Sequence, residues 1–275
     1  MVETAFVQDT ELELLLEGVF RLFGYDFRQY APGTLKRRVG ALVVEEGLST
    51  VSELQSRIFR DRALLERLMS ALSVSASGFF RDAAFYHAFR QKAVPLLKTY
   101  PFVRIWHPGC ASGEEVYSMA ILMQEVGLLE RCSFYATDID ESVLNIAAQG
   151  VYPRKQIEGS ERSHKESGGM GALVDYFAAS QCDGTIAPSI RRRVTFMRHN
   201  LATDGSLNEF NVILCRNVLI YFSKPLQHRV HDLLYDSLTR FGILALGAHE
   251  TLSLTSREKH FTALDAETKL YRRID

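Results

Sequence analysis

The stretch Val103-Arg-Ile-Trp-His-Pro-Gly-Cys-Ala-Ser-Gly-Glu-Glu-Val-Tyr117 places a short apolar strand, a turn with two glycines and an acidic helix start in one line. That order is typical of a nucleotide-type pocket at the edge of a parallel sheet. A dinucleotide pyrophosphate favours G-x-G-x-x-G and a helix N-terminus whose free N–H groups meet the anion. Here the helix instead begins with Glu114 and Glu115, whose carboxylates would repel a phosphate.

A cationic ligand without phosphate fits this stretch better than a dinucleotide does. S-adenosylmethionine carries a sulfonium, an ammonium group and an adenosine. We therefore expect it as the cofactor, with S-adenosylhomocysteine as its product, and a dehydrogenase is disfavoured. The alternative interpretation is that the two glutamates only complement the positive end of the helix dipole.

A second buried-strand pattern, at residues 132–137, leads into Asp138 and Asp140. Asp138 follows Gly113 by 25 residues (138 − 113), which is about where a Rossmann-like sheet places an acid against ribose hydroxyls. Asp140 competes for this role, although it also fits the N-cap of a helix at 141–149 that ends at Gly150.

Composition and charge place the chain among ordinary soluble globular proteins. Of its 275 residues, 47% are hydrophobic and 24% are charged, and the formal net charge is −1. The net charge therefore does not favour binding to nucleic acid or to an anionic membrane. No apolar run approaches the roughly 18 residues that a membrane helix needs, and the first residues lack a signal-peptide pattern. We expect a cytoplasmic monomer without membrane insertion.

The cysteines are scattered and favour free thiols over disulfides. They are Cys110, Cys132, Cys182 and Cys215. A zinc site drawn from His107, Cys110, His199 and Cys215 has a ligand-like spacing only in its first pair, and that spacing is loose. We expect no metal site.

Helical periodicity dominates the first hundred residues. Apolar spacing and capping residues predict helices at 10–23, 34–46, 51–59, 62–72 and 83–98. From residue 102, short apolar strands alternate with helices, which is typical of a parallel α/β sheet. The predicted strands are 102–107, 132–137, 194–198, 210–215, 243–247, 259–264 and 268–274. Residues 152–192 interrupt this alternation and predict an insertion or a mobile loop.

Seven sequence blocks, in order, resemble one family, the bacterial chemotaxis-receptor glutamate methyltransferases (CheR type). The blocks are Ser77-Gly-Phe-Phe-Arg81, Trp106-His-Pro-Gly-Cys-Ala-Ser-Gly-Glu-Glu115, Ala136-Thr-Asp-Ile-Asp140, Gly150-Val-Tyr-Pro153, Asn200-Leu201, Cys215-Arg-Asn-Val-Leu-Ile-Tyr-Phe222 and Leu246-Gly-Ala-His-Glu250. The resemblance implies an α/β fold with a Rossmann-like class I methyltransferase sheet. It also implies an N-terminal all-helical domain at 1–80, a linker helix at 81–100 and a methyltransferase domain at 101–275. A small inserted subdomain is expected at 152–192.

The resemblance also implies a reaction and a site. The reaction is methyl transfer from S-adenosylmethionine to glutamate side-chain carboxylates on the cytoplasmic helical bundle of a chemoreceptor, catalysed by a protein-glutamate O-methyltransferase. The implied catalytic pair is Arg81 and Tyr221. The implied cofactor contacts are Ser75, Ser77, Arg81, Gly109, Glu115, Asp138, Asn200, Leu201, Arg216 and Asn217.

These residue types suit that chemistry. Methyl transfer is an in-line displacement, so alignment matters most. Glutamate, with a reference pKa of about 4.3, is already ionised at neutral pH and needs no strong base. The guanidinium of Arg81 can grip a carboxylate bidentately, and Tyr221 can donate to it or orient it. The simpler interpretations are an arginine paired with Asp82 and a tyrosine that only packs. Glu250 either orients Tyr221 or closes a loop.

Departures from the family pattern leave the acceptor open. Ala41 stands where the family's second helix often carries an arginine. The first hundred residues hold 13 Lys and Arg against 12 Asp and Glu, so electrostatic steering to an acidic partner is weak. Two alternatives therefore remain: a methyltransferase for another protein or a small molecule, and a non-catalytic regulatory module that binds S-adenosylmethionine.

Overall fold

The N-terminal helices pack around a core of their own. The computed structural model describes residues 7–72, 77–180, 182–253 and 255–275. The first helices are α1 Asp9–Phe23, α2 Pro32–Glu45, α3 Val51–Ile58 and α4 Arg62–Leu72. The helical spacing of Leu12, Leu15, Leu16 and Val19 turns one face of α1 inward. That face joins buried residues of α2, α3 and α4 in one hydrophobic cluster.

Local residues set the ends of these helices close to the predicted bounds. Gly24 adopts a left-handed φ of 77°, and its N–H donates to the Phe20 carbonyl at 2.9 Å, which closes α1. The side chain of Asp61 accepts from the N–H of Ala63 at 2.9 Å at the start of α4. Capping chemistry therefore agrees with the apolar periodicity in this region.

A mixed seven-stranded sheet dominates the rest of the chain. The strands are β1 Val103–Pro108, β2 Cys132–Asp138, β3 Val151–Pro153, β4 Phe177–Ala179, β5 Asp183–Ile186, β6 Val194–Arg198, β7 Phe210–Cys215, β8 Leu238–Leu246, β9 Phe261–Asp265 and β10 Leu270–Arg273. The large sheet has the order β6-β2-β1-β7-β8-β10-β9. Strands β6, β2, β1, β7 and β8 are parallel to one another, and β10 is antiparallel to both of its neighbours, β8 and β9. The strand order reverses between β1 and β7, which is where α/β sheets bind ligands.

Helices cover both faces of this sheet. The α-helices after α4 are α5 Ala83–Lys92, α6 Val94–Leu97, α7 Glu114–Glu125, α8 Glu141–Gln149, α9 Arg154–Gly159, α10 Glu161–Glu166, α11 Pro188–Arg191 and α12 Lys224–Ser237, of which α9 and α10 belong to the segment 151–186 and not to this sheet. One hydrophobic cluster includes α5, α7 and β2, and another includes Trp106, Phe210 and α12. In the described ranges no helix has the length and apolar character needed to cross a bilayer.

Two predicted elements differ from the structure. The helix predicted at 83–98 divides into α5 and α6 at Ala93, because Pro95 has no N–H for the helical hydrogen bond. Strand β8 begins at Leu238, earlier than the predicted 243. The prediction missed its first half because Thr239 and Arg240 are polar and interrupt the apolar run. The other predicted strands agree with the structure to within small shifts at their ends.

Residues 151–186 include a second sheet, antiparallel, with the order β3-β5-β4. Of the two expectations for 152–192, the structure therefore has a folded unit there, with α9 and α10 between its strands. Glu125 of α7 ties the unit down: its carboxylate hydrogen-bonds to His164 Nε2 at 2.7 Å and accepts from the Tyr176 hydroxyl at 2.9 Å. It also pairs with Arg90 of α5. The inserted unit is thus fixed to the main domain through a buried polar group.

Candidate functional site

Two adjoining cavities lie beyond the carboxyl ends of β1 and β7. The first, the Asp138 cavity, contains about 640 Å³ of space free of atoms, including its open mouth. The second, the Arg81 cavity, contains about 450 Å³ on the same measure. Their shared lining residues are Gly109, Ala111, Asn217 and Tyr221.

The structure brings the predicted site residues to these cavities. Around the Asp138 cavity are Gly109, Asp138, Asn200, Leu201, Asn217 and Tyr221. Around the Arg81 cavity are Ser77, Arg81, Gly109, Glu115, Arg216, Asn217 and Tyr221. Ser75 lies outside the described residues. Positions more than a hundred residues apart in sequence therefore meet at the point where the strand order reverses.

The turn after β1, which contains Gly109 and Ala111, lines the Asp138 cavity. Gly109 has a left-handed φ of 69°, and a Cβ on it would lie 2.6 Å from a methyl group of Val218. The next turn residue, Ala111, donates its N–H to Asp138 Oδ2 at 2.9 Å. Burial raises the pKa of Asp138, against the lowering effect of the N–H groups of Asp140 and Ala111. Asp140 itself caps α8 by accepting from the N–H of Ser142 at 2.8 Å. Of the two competing acids, Asp138 therefore lines the cavity.

Buried Arg216 and half-buried Glu115, which belong to one charge cluster, line the Arg81 cavity. Arg216 places Nη1 3.0 Å from Glu115 Oε2 and Nη2 2.8 Å from Asp82 Oδ2. His107 Nδ1 hydrogen-bonds to the other Glu115 oxygen at 3.2 Å. Burial acts to raise the pKa of Glu115, but the His107 hydrogen bond and the Arg216 charge together lower it. Asp82, a candidate partner of Arg81 in the sequence, pairs with Arg216, and Glu115 stays ionised at neutral pH.

Glu250 closes the turn that follows β7. Its carboxylate accepts N–H bonds from Asn217, Val218 and Leu219 at 3.0, 2.8 and 2.7 Å, and from Gly247 at 2.6 Å. Burial raises the pKa of Glu250, while these N–H donors act in the opposite direction. Asn217 has a left-handed φ of 61°, which asparagine tolerates well. The loop-closing interpretation of Glu250 is therefore the one that the structure supports.

The helical domain reaches the site through main-chain contacts that the sequence did not predict. The N–H of Ala31 donates to the carbonyl of Tyr221 at 2.8 Å, and the N–H of Ser223 donates to the carbonyl of Gln29 at 2.8 Å. The guanidinium of Arg38 lies 5.8 Å from the centre of the Tyr221 ring. No apolar period or short motif signals such contacts, because they depend on how two domains pack.

Arg81 follows a strained, well-anchored turn. Phe79 and Phe80 are buried, and the N–H of Phe80 donates to Ser118 Oγ at 2.9 Å. Phe80 and Asp82 have φ values of 53° and 61°, which are costly for residues with a side chain. The two phenylalanines are thus core anchors, and the exposed Arg81 between these strained positions faces the cavity.

All four residues of the conceivable zinc site, His107, Cys110, His199 and Cys215, are buried. Among the described residues, no three His, Cys, Asp or Glu side chains converge as metal ligands. Cys110 and Cys215 are buried free thiols, and burial raises their pKa well above the usual value.

Comparison with known proteins decides the family. Residues 10–73 match the all-alpha domain of the CheR methyltransferases, and residues 75–270 match their SAM binding domain. The chain belongs to the CheR methyltransferase family. The expected α/β fold, a Rossmann-like class I methyltransferase sheet preceded by an all-helical region, is confirmed, and the cofactor of this CheR protein is S-adenosylmethionine.

Sequence similarity to known proteins extends over most of this CheR-family chain. A Pseudomonas putida protein, Cher3, is 38% identical over 96% of this chain and 97% of its own length, and its name describes it only as a methyltransferase. The chemotaxis protein methyltransferase of Listeria innocua is 31% identical over 85% of this chain and 87% of its own. Chemotaxis protein methyltransferase 1 of Vibrio cholerae is 31% identical over 83% of each chain. The chain is therefore similar to methyltransferases along both of its domains.

Proposed function

We propose that this CheR-family protein transfers the methyl group of S-adenosylmethionine to glutamate side-chain carboxylates on the cytoplasmic helical bundle of a chemoreceptor. The observation that carries the proposal is that Arg81 and Tyr221 line the same cavity as Glu115 and Arg216. A guanidinium and a phenol beside a methyl-donor site suit an anionic acceptor. The names of the Listeria and Vibrio relatives support a chemotaxis role.

The residues present fit the methyl donor. Asn200 Nδ2 and Arg216 Nε are buried donors without a hydrogen-bond partner in the described part of the chain, so a ligand that accepts from them removes an energetic cost. The carboxylates of Glu115 and Asp138 suit an ammonium group and ribose hydroxyls respectively. Gly109 lines both cavities. We assign these residues, with Ser77, Leu201 and Asn217, to cofactor binding.

The proposed reaction does not require the protein to remove a proton from the acceptor. When bound, the cofactor supplies an electrophilic methyl group on a sulfonium. Arg81 holds the acceptor carboxylate with paired N–H donors and offsets the loss of its water. Tyr221 donates a hydrogen bond that orients the same group. Because glutamate is ionised at neutral pH, no general base is required, and a methyl ester and a neutral thioether are formed.

Labelled methyl transfer tests this function. The protein is incubated with S-adenosylmethionine tritiated in the methyl group and with membranes that contain chemoreceptors. Label in the receptor band that mild base releases as methanol is the expected result, and replacing the receptor's accepting glutamates by alanine should abolish it. Base-stable label, or label in soluble proteins only, would assign a different acceptor. Cofactor binding without transfer to any fraction would make the protein a binding module.

A further inference from the structure

One side of the Asp138 cavity belongs to the helical domain. Tyr30, from the segment between α1 and α2, and Leu72, the last residue of α4, line this cavity together with residues of the sheet domain. The lining residues from the sheet domain include Asp138 and Asn200. A ligand in this cavity would therefore lie between the two domains.

The ring of Tyr30 is held in one position before any ligand arrives. It packs edge-on against Phe27 and Phe222, with ring centres 4.9 and 4.8 Å apart. The N–H of Tyr30 donates to the Phe27 carbonyl at 3.0 Å, and its backbone forms an antiparallel bridge with Phe222. A wall fixed in this way loses little conformational entropy on binding.

The hydroxyl of Tyr30 is a donor that the described residues leave without an acceptor. It has no hydrogen-bond partner among residues 7–72, 77–180, 182–253 and 255–275. Burial, and then the nearby charges of Asp138 and Asp26, raise the pKa of Tyr30. The phenol is therefore protonated at neutral pH, and it sits near the acid that faces the cavity. A ligand acceptor is the partner that this hydroxyl lacks.

We propose that Tyr30 binds the adenosyl half of S-adenosylmethionine, with its ring as a wall of the cavity and its hydroxyl as a hydrogen-bond donor to an oxygen or ring nitrogen of the adenosine. The helical domain then takes part in retaining the cofactor, in addition to any role with an acceptor. This inference rests on the assignment of the Asp138 cavity to the methyl donor. It does not depend on which acceptor is methylated.

Binding measurements on the full chain, without any acceptor, test the inference. The Tyr30→Phe variant is titrated by calorimetry with S-adenosylhomocysteine and with 5′-methylthioadenosine, which keeps the adenosyl half but lacks the amino acid. We expect both ligands to bind roughly fivefold more weakly, as for the loss of one hydrogen bond. Tyr25→Phe is the matched control, because Tyr25 lies in the same domain, near Arg198, outside the cavity lining. It should bind both ligands as the wild type does.

Two results would overturn the inference. Unchanged affinity of Tyr30→Phe for both ligands would remove Tyr30 from the site. A loss confined to S-adenosylhomocysteine would place Tyr30 at the amino-acid half instead. Tyr30→Ala should weaken binding further because the wall itself is lost, and its melting temperature shows whether it still folds. Normal binding in Tyr30→Phe together with receptor methylation by the wild type would refute this inference alone.

Discussion

Arg216 Nη1 lies 3.0 Å from Glu115 Oε2, and this pair of a buried arginine and a half-buried glutamate joins the turn after β7 to the start of α7. Asp82 adds a second carboxylate to the same guanidinium, so the cluster of these three side chains carries one negative charge in excess. Glu114 instead accepts from Ser112 and Gln156. Of the two helix-start glutamates, therefore, only Glu115 lines the Arg81 cavity.

This division of roles predicts different effects for two adjacent, isosteric substitutions. Glu115→Gln should weaken binding of S-adenosylmethionine and S-adenosylhomocysteine by about tenfold or more, because a charged hydrogen-bond acceptor for the ammonium group is lost. Glu114→Gln should change affinity less than about twofold, since neither cavity is lined by Glu114. Calorimetry on both variants gives the measurement. Equal losses in the two variants would contradict the assignment of Glu115.

The proposed catalytic pair should affect turnover far more than donor affinity. Arg81→Ala should lower the methylation rate by about 100-fold, in the range found when a charge-stabilising donor is removed, and Tyr221→Phe by about tenfold. Binding of S-adenosylhomocysteine by Tyr221→Phe should stay close to that of the wild type. Arg104→Ala, at the opposite end of β1, serves as the control. Wild-type turnover in Arg81→Ala or Tyr221→Phe would remove that residue from the mechanism.

Glu250 should stabilise the fold and the site together. In Glu250→Gln, a carboxamide NH₂ faces backbone N–H donors that the carboxylate now satisfies, and buried donors lose their partner. We expect a loss of about 2 kcal/mol in the free energy of unfolding and weaker cofactor binding, because Asn217 is no longer held. Urea denaturation and calorimetry measure the two effects. The control is Glu209→Gln, at an exposed position, which should change neither stability nor cofactor binding. Wild-type stability of Glu250→Gln would show that the turn after β7 does not need the Glu250 carboxylate.

Stability should depend on Glu125 in a pH-dependent way. Burial acts to raise the pKa of Glu125, but the hydrogen bonds from His164 and Arg90 outweigh it, so the pKa is lowered from its usual 4.5. The unfolded chain then takes up the proton first. The stabilisation is therefore present above about pH 4.5 and is lost as the pH falls through the lower folded value.

The test compares urea denaturation of the wild type and Glu125→Gln at pH 7 and at pH 4. We expect the variant to be less stable by about 3 kcal/mol at pH 7, as when a buried ion pair loses one partner, and the difference should shrink at pH 4. Glu166→Gln removes only an exposed helical pair with Arg162 and should cost under about 0.5 kcal/mol. A gap between wild type and Glu125→Gln that does not change with pH would show that the carboxylate charge is not responsible.

Local chemistry made much of the fold predictable. The helix ends at Gly24 and Gly150, and the N-cap at Asp140, depend on a few neighbouring residues. The parallel strands are apolar runs between such signals. Two predictions of element bounds were wrong. Apolar spacing predicted one continuous helix where Pro95 divides it into two. Strand β8 begins five residues before the predicted position 243.

The site was predictable only where it follows the chain's own motifs. Asp138 and Glu115 come at a strand end and at a helix start, and the parallel sheet brings those positions to one edge, whereas Arg216 was implied only by the resemblance to the family. The pairing of Arg216 with Asp82 and the approach of Tyr30 could not be predicted in this way. Both depend on tertiary packing between segments whose sequences carry no mutual signal.

The two main-chain hydrogen bonds that join the segment 29–31 to Tyr221 and Ser223 also limit how this protein can be recombined with its relatives. A hybrid that took its helices from one parent and its sheet domain from another would have to align two backbones that were selected separately. The loop between α1 and α2 should therefore be inherited together with the turn after β7, wherever the crossover between parents is made.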